Sequence, residues 1–413
     1  MERNLTGEFD DILARRVIHP VYQPIVSLVD CRVVGFEALA RGPDKSRYQS
    51  PAALFAEAER RGVTATLDWI CMTTSTAAAL DSPLRDVPLF VNVDPATFGT
   101  PCPIDLLPLY HRGRQELDLV VEITERRGGR PESMLRQLAS FRQAGGRIAI
   151  DDVGVDPMSL NVVSVLAPDV IKLDRSVTQL RTSSWARTSL INAVQAEAQA
   201  TGAAVLCEGI ETIDHLQTAL AMGATLGQGW LFGRPGPLPS TVERSSTPLP
   251  RVTPYPKFAA SPYEVVRDRL RTYAMNGATM SSMSDLLEDM AQHTSAANLL
   301  YVLIPAEMKL DDHARLLYTL IEQHGVDVTV LCHNPPTFPG AAVTTVPLPH
   351  DDPLLDERAV ILLGNYFAAA LIAHRDQMSD PDSSEPVYNA VLTYDRRTVV
   401  AALHTLLRHV PVY

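Results

Sequence analysis

Oxygen-donor side chains recur at the ends of short apolar runs through the first half of the 413-residue chain. Glu37 follows RVVGF, Asn92 follows LFV, Glu122 lies in VEITE, and Asp151 and Asp152 follow RIAI. Lys172 lies in VIKLD, Glu208 in CEGIET and Gln228 in GQGW. Four or five carboxylates with an amide oxygen suit hard cations, Mg2+ or Mn2+, better than zinc. The histidines before residue 234 are His19, His111 and His215, and none falls in these runs. That weighs against Ser-His-Asp catalysis and against a histidine-based metal site. Crowded carboxylates repel one another unless cations neutralise them. A shared Asp151 could bridge two metals about 4 Å apart, which would clamp a phosphoryl group for in-line attack by water. Lys172 would then orient the water or stabilise charge developing on phosphate.

Such residues need a scaffold that brings distant strand ends together. The apolar runs Pro20–Ile25, Arg32–Phe36, Leu89–Val93, Leu119–Ile123, Arg147–Ile150, Val170–Leu173, Ala204–Leu206 and Ala224–Leu226 read as strands. Helical patterns such as Pro131–Ala144 and Thr212–Met222 lie between them. Strands alternating with helices predict an α/β fold, a parallel (β/α)8 TIM-like barrel over residues 1–233, with active residues at the C-terminal strand ends.

These runs also resemble a known family. Glu37-Ala38-Leu39 with Ala40-Arg41 is similar to the signature of the EAL-domain cyclic-di-GMP phosphodiesterases. YQPI at 22–25, the Asn92 strand, EITE at 122–125, DD at 151–152, KLD at 172–174, EGIE at 208–211 and GQGWLFGRP at 227–235 follow in the family's order. The resemblance implies two Mg2+ or Mn2+ ions per barrel. Glu37, Asn92, Glu122 and Asp151 would hold one; Asp151, Asp152 and, directly or through water, Glu208 would hold the other. Lys172 would contact the nucleophilic water, Gln23, Arg41 and Gln228 the substrate, and Glu211 would brace the loop after the fifth strand. The implied reaction opens cyclic di-GMP to linear pGpG, in a protein that is commonly a homodimer. One stretch departs from the family: the usual DDFGTGYSSL reads DDVGVDPMSL here. Asp156 before Pro157 is pushed toward extended geometry where the family has glycine. A barrel that binds cyclic di-GMP as a receptor or scaffold, or hydrolyses a different phosphodiester, is the competing expectation.

Several of these residues also have plainer uses. Arg41 could pair with Asp44, Lys172 with Asp174, and Asn92 could cap a turn.

From residue 234 to 262 prolines crowd the chain, which predicts a semi-extended linker or a surface strap. Residues 263–413 predict a smaller α/β sandwich with strands Leu299–Ile304, Val326–Leu331, Ala342–Val346, Ala359–Leu363 and Val387–Thr393. Ser284–Gln292 reads as an amphipathic helix. A last helix is expected after Asp395 as N-cap, burying Val399, Leu403, Leu406 and Val410. Met275, Met280, Met283 and Met290 are expected to fill core, and Cys332-His333 and the acidic run near His350 to bind no metal. LYVLIP, DDPLLDERAVILLG and TYDRRTVVAALHTLLRHV resemble the DICT sensory domain, which implies a regulatory module with a protein partner or small ligand.

Composition limits the remaining options. With 36 Lys and Arg against 48 Asp and Glu, net charge −12, polymeric nucleic acid is not an expected partner. Residues 263–413 hold 19 of those acidic residues against 10 basic ones. The five scattered cysteines read as reduced thiols, and no run is long enough to span a bilayer, so a cytoplasmic protein off the membrane is expected.

Overall fold

The computed structural model describes residues 3–124, 131–155, 159–179, 185–252, 259–293, 298–365, 367–376 and 387–411. Two compact units divide the chain: Met1–Asp156 with Leu166–Val252, and Pro157–Val165 with Thr253–Tyr413.

The first unit is a closed eight-stranded barrel: β1 (His19–Ser27), β2 (Val33–Arg41), β3 (Leu89–Asn92), β4 (Leu119–Thr124), β5 (Arg147–Val153), β6 (Val170–Leu173), β7 (Ala204–Cys207) and β8 (Leu226–Gln228). The strands follow chain order around the barrel, and β2 to β8 are parallel. The expected all-parallel barrel is corrected at β1, which runs antiparallel to both β2 and β8. Only Leu28–Arg32 separate β1 from β2, too few for a crossover, which takes a dozen or more. The connection is a turn instead, with Cys31 at φ 55° and its N–H donating to Ser27 O at 2.8 Å. As a result Glu37 sits mid-strand, directly opposite Gln23, and not at the end of β2 as the sequence suggested.

At the N-terminal ends of the strands, Val34, Phe90, Val120, Ala149, Val170 and Ala204 form an apolar floor. Leu249, from the proline-rich stretch, is buried against it. That stretch has no regular structure of its own, so its backbone groups find partners on the barrel. Gly236 exchanges hydrogen bonds with Tyr22, Glu243 O accepts from Val33 N, and Val252 N donates to the buried Asp169. Residues 234–252 thus strap the barrel from Gly236, beside Tyr22 near the carboxylates, to Leu249 and Val252, which plug the opposite end.

The second unit is built on a seven-stranded sheet. Its strands are β9 (Tyr273–Asn276), β10 (Asn298–Leu303), β11 (Val326–Cys332), β12 (Thr344–Pro347), β13 (Glu357–Leu363), β14 (Ala368–Arg375) and β15 (Val387–Thr393), in the order β12-β11-β10-β13-β14-β15-β9. The first three in that order are parallel and the rest antiparallel. Helices Gly277–His293 and Asp312–Gln323 bury Met280, Leu287, Tyr318 and Ile321 against β10, β11, β13 and β14. Met275, Met283 and Met290 pack on the same core, as the pattern suggested. The final helix, Arg396–Leu407, is capped by Asp395, which accepts from Thr398 N at 2.9 Å, and it buries Val399, Leu403 and Leu406. Asp352 caps the short Pro353–Asp356 helix, and Cys332 and His333 belong to no potential metal cluster among the described residues. No described helix is long and apolar enough to cross a membrane.

Glu357, at the start of β13, is buried and accepts a hydrogen bond from Tyr263 N at 2.9 Å. Burial pushes its carboxyl up to about 7. A folded-state value above the unfolded one means the folded state holds the proton more tightly. The stability this group contributes is complete below about pH 4 and falls as pH rises through 7, by about 3 kcal/mol in all. Glu357→Gln mimics the protonated form. It is expected to raise stability to urea by about 2–3 kcal/mol near pH 8 and to change little near pH 5. An equal shift at both pH values would refute this assignment.

Candidate active site

All eight strands of the barrel deliver polar groups to one pole. Lys172 is fully buried on β6. Its Nζ lies 2.7 Å from Glu122 Oε1, 3.0 Å from Asp151 Oδ1, 2.9 Å from Glu208 Oε1 and 3.8 Å from Glu37 Oε1. The alternative pairing of Lys172 with Asp174 does not occur; Asp174 turns to the next helix and accepts from Ser176 N at 2.8 Å. Burial pulls the ammonium pKa down, but Asp151, Glu122, Glu208 and Glu37 together hold it well above the ordinary lysine value. The site therefore keeps a permanent cation at its centre.

Around it the carboxylates differ. Burial alone would raise Glu37, yet Lys172 and the hydrogen bonds from Gln228 and Asn92 leave it below the usual range. Glu122, fully buried and facing Glu37, is pushed well above it. Glu208 rises to about 8 through burial, only partly offset by Lys172. Asn92 Nδ2 donates to Glu37 at 2.8 Å and to Glu122 at 3.0 Å, so it links two carboxylates rather than capping a turn. To serve as an oxygen ligand its amide would have to turn over. Gln228 Nε2 donates to Glu37 Oε2 at 2.6 Å and to Gln23 Oε1 at 3.3 Å, and Gln23 Nε2 donates to Gly233 O at 3.1 Å.

Asp151 and Asp152 pose a geometric question, because neighbours on a strand point to opposite faces. The β5–β6 register shifts between Ile150 and Val153, and Asp152 takes φ 57°. This irregularity turns two consecutive carboxylates toward one pole, a common use of bulges beside active sites. Two trios result, Glu37–Glu122–Asp151 and Asp151–Asp152–Glu208, whose ligand atoms lie within 4.8 Å of one another. Glu122 Oε1 and Asp151 Oδ1 are buried without an aligned hydrogen bond. Hard oxygen donors with lone pairs to spare, in two groups sharing Asp151, fit divalent cations of the Mg2+ or Mn2+ kind.

Two further residues lie at the margin. Arg41, at the end of β2, is partly buried and donates to Ala40 O at 2.8 Å. Glu211 is exposed and outside the cluster; its backbone N–H donates to His215 Nδ1. Asp156 and Pro157, the departure in the loop after β5, and Glu125 of EITE lie outside the described residues.

A cavity of about 430 Å3 opens beside Glu37, Asn92, Glu122 and Asp152, walled by Phe55 and Met72. Asp68 also lines it, buried, accepting from Asp94 N and Thr97 Oγ1, each at 2.9 Å. This residue was missed in the sequence, although an aspartate inside the apolar run TLDWIC was a visible signal.

Gly209 follows Glu208 with φ +65°, and a Cβ there would meet Arg175 Cβ at 2.5 Å. Gly209→Ala is expected to cost about 1–3 kcal/mol in thermal unfolding and to displace Glu208. A melting temperature equal to the parent's would refute this.

The family model for the EAL domain matches residues 7–235, more than half of the chain. An uncharacterized protein, y4lL, from Sinorhizobium fredii is 35% identical over 234 residues, 55% of this chain and 28% of its own length. Cyclic di-GMP phosphodiesterase RocR from Pseudomonas aeruginosa is 30% identical over 227 residues, 52% of this chain and 57% of its own. Among solved structures, the manganese and cyclic di-GMP complex of Klebsiella pneumoniae BlrP1 at pH 9.0 is 26% identical, with a TM-score of 0.46, over 53% of this chain and 56% of that one. The match takes in only about a third of the length of the first curated relatives.

Proposed function

The chain belongs to the EAL-domain family, and from that premise we propose that it is a divalent-metal-dependent phosphodiesterase that opens cyclic di-GMP to linear pGpG. The observation that carries this reading is the pair of carboxylate trios sharing Asp151 around the buried Lys172. Glu37, Asn92, Glu122 and Asp151 would hold one cation, and Asp151, Asp152 and Glu208 the other. The cations, when bound, supply Lewis acidity and charge neutralisation to a phosphodiester. Lys172 keeps its proton, orients the carboxylates it touches, and presents an N–H to the attacking water. Gln228 fixes Glu37, and Gln23 in turn meets Gln228; both would also face the substrate. Arg41, at the rim, would meet a substrate phosphate. The bracing role of Glu211 rests on the family resemblance alone.

Regulation by a DICT-like second unit is part of the same proposal, in a cytoplasmic homodimer. Its support is the chain path. Three residues separate Val153, the end of β5, from Pro157, and Pro157–Val165 count with the second unit. There Arg396 donates to Ser164 Oγ at 2.7 Å, and His404 Nε2 lies 2.7 Å from Val165 O. Arg396→Ala is expected to lower kcat by about threefold to tenfold, the scale of a coupling across a structural element. An unchanged kcat would count against this route.

The reading is tested by incubating the full chain with cyclic di-GMP and Mg2+ or Mn2+, with Glu37→Ala as control, and resolving the products by chromatography. The expected result is pGpG from the parent only. Tight binding without turnover under either metal would establish a receptor instead.

A further inference from the structure

The second unit encloses a cavity of about 200 Å3 between helices Gly277–His293 and Asp312–Gln323 and strands β10 and β13. Val302, Val360 and Leu317 form apolar walls, but the deep end is polar: Ser284, Glu288, Tyr318 and Arg358, all buried. Arg358 is only 8% exposed. Among the described residues its one hydrogen bond runs from Nη2 to Ser284 Oγ, at 2.9 Å, and no carboxylate lies within 4.0 Å of the guanidinium. Glu288 feels its charge, which partly lowers that carboxyl, but lies beyond ion-pair distance. That carboxyl accepts from Tyr318 Oη at 2.7 Å, and burial raises it above its ordinary range.

A buried guanidinium with one neutral acceptor is costly, and an apolar side chain of similar volume would serve packing better. The planar fork of arginine matches a carboxylate with two parallel hydrogen bonds. Ser284 accepts from Arg358, so its own proton remains to be donated. Across the cavity, Glu288 offers an acceptor to a hydroxyl or amine. The volume lies below the roughly 300–1,000 Å3 of sites for drug-sized ligands, which sets a nucleotide aside.

We propose that this cavity binds a small carboxylate of amino-acid size that carries a hydroxyl or amine beside the carboxylate. The carboxylate meets Arg358 and Ser284, and the neighbouring donor meets Glu288. At the rim Lys309 and His313 stand exposed together with Asp285 and Asp311, so the charge that selects an anion is that of Arg358 inside. This binding does not depend on the phosphodiesterase reading, because every residue it uses lies in the second unit.

The test uses the full chain in calorimetric titration and thermal unfolding with glycolate, lactate, malate, serine, glutamate and, separately, inorganic phosphate. At least one of the acids is expected to bind saturably and raise the melting temperature. Arg358→Met should weaken that binding by at least about tenfold, the loss of a charged hydrogen-bond pair. Without ligand, Arg358→Met should melt no lower than the parent, because an unpaired buried charge has been removed. Three results would each overturn the proposal: no saturable binding of any acid, binding of phosphate alone, or a ligand-free Arg358→Met protein that melts lower than the parent.

Discussion

Asp151→Asn lowers turnover of cyclic di-GMP by about a thousandfold or more while the barrel stays folded. Asp151 is the one residue common to both carboxylate trios, so a single change touches both candidate cation positions. Asparagine keeps the size and one oxygen but removes the charge, and a hard divalent cation loses most from that exchange. The structural cost is small by comparison. Lys172 keeps Glu122 at 2.7 Å and Glu208 at 2.9 Å, so the buried ammonium remains paired. Measured pGpG formation should collapse, the Mn2+ concentration for half-activation should rise, and the melting temperature in chelator should stay close to the parent's. Activity within about tenfold of the parent would show that Asp151 is not shared between two cations.

The reach of the sequence can be judged from that same strand. Types and order of the strand-end residues were legible because oxygen donors interrupting β-branched runs have few packing explanations. How Asp151 and Asp152 come to face one pole was not legible. It depends on a register shift against β6 and a left-handed backbone at Asp152, a conformation more usual for glycine. The direction of β1 was missed for a different reason. Apolar alternation marks a strand but carries no sign of its direction, and only the five-residue connection Leu28–Arg32 speaks to that. The place of Leu249 under the barrel floor was likewise hidden, because a proline-rich stretch has no period from which to read a buried face.

In the second unit the run from Ala359 to Ala373 carried a related ambiguity. It holds two strands, β13 and β14, joined at Gly364 and Asn365. A strand covered on both faces reads as continuously apolar, so alternation cannot count strands there, and the Gly-Asn pair was the remaining signal. β9 escaped notice because its residues are mostly exposed and pair only with β15 at the sheet edge. Arg358 was equally silent: an arginine within the strand ERAVILL gives no hint that it lies buried with no carboxylate within 4.0 Å among the described residues.

Lys172→Met separates the electrostatic from the catalytic part of the barrel site. The ammonium offsets four carboxylates gathered within 3.8 Å of it. Removing one side of a buried ion cluster leaves uncompensated charge, and the expected loss of stability in chelator is about 3–5 kcal/mol. Methionine fills the space of the lysine stem, so little of that loss comes from packing. Mg2+ or Mn2+ should then restore more stability to the variant than it adds to the parent, because a divalent cation among the same oxygens takes over the neutralisation. Turnover should not return with it. The N–H that Lys172 would present to an attacking water has no substitute among Asn92, Gln228 and Gln23, each of which already donates elsewhere. A residual rate about a hundredfold to a thousandfold below the parent is expected at saturating metal. Full recovery of both properties would reduce Lys172 to a structural counter-ion. Recovery of neither would mean that the carboxylates do not hold a cation, and the two-metal reading would fall with it.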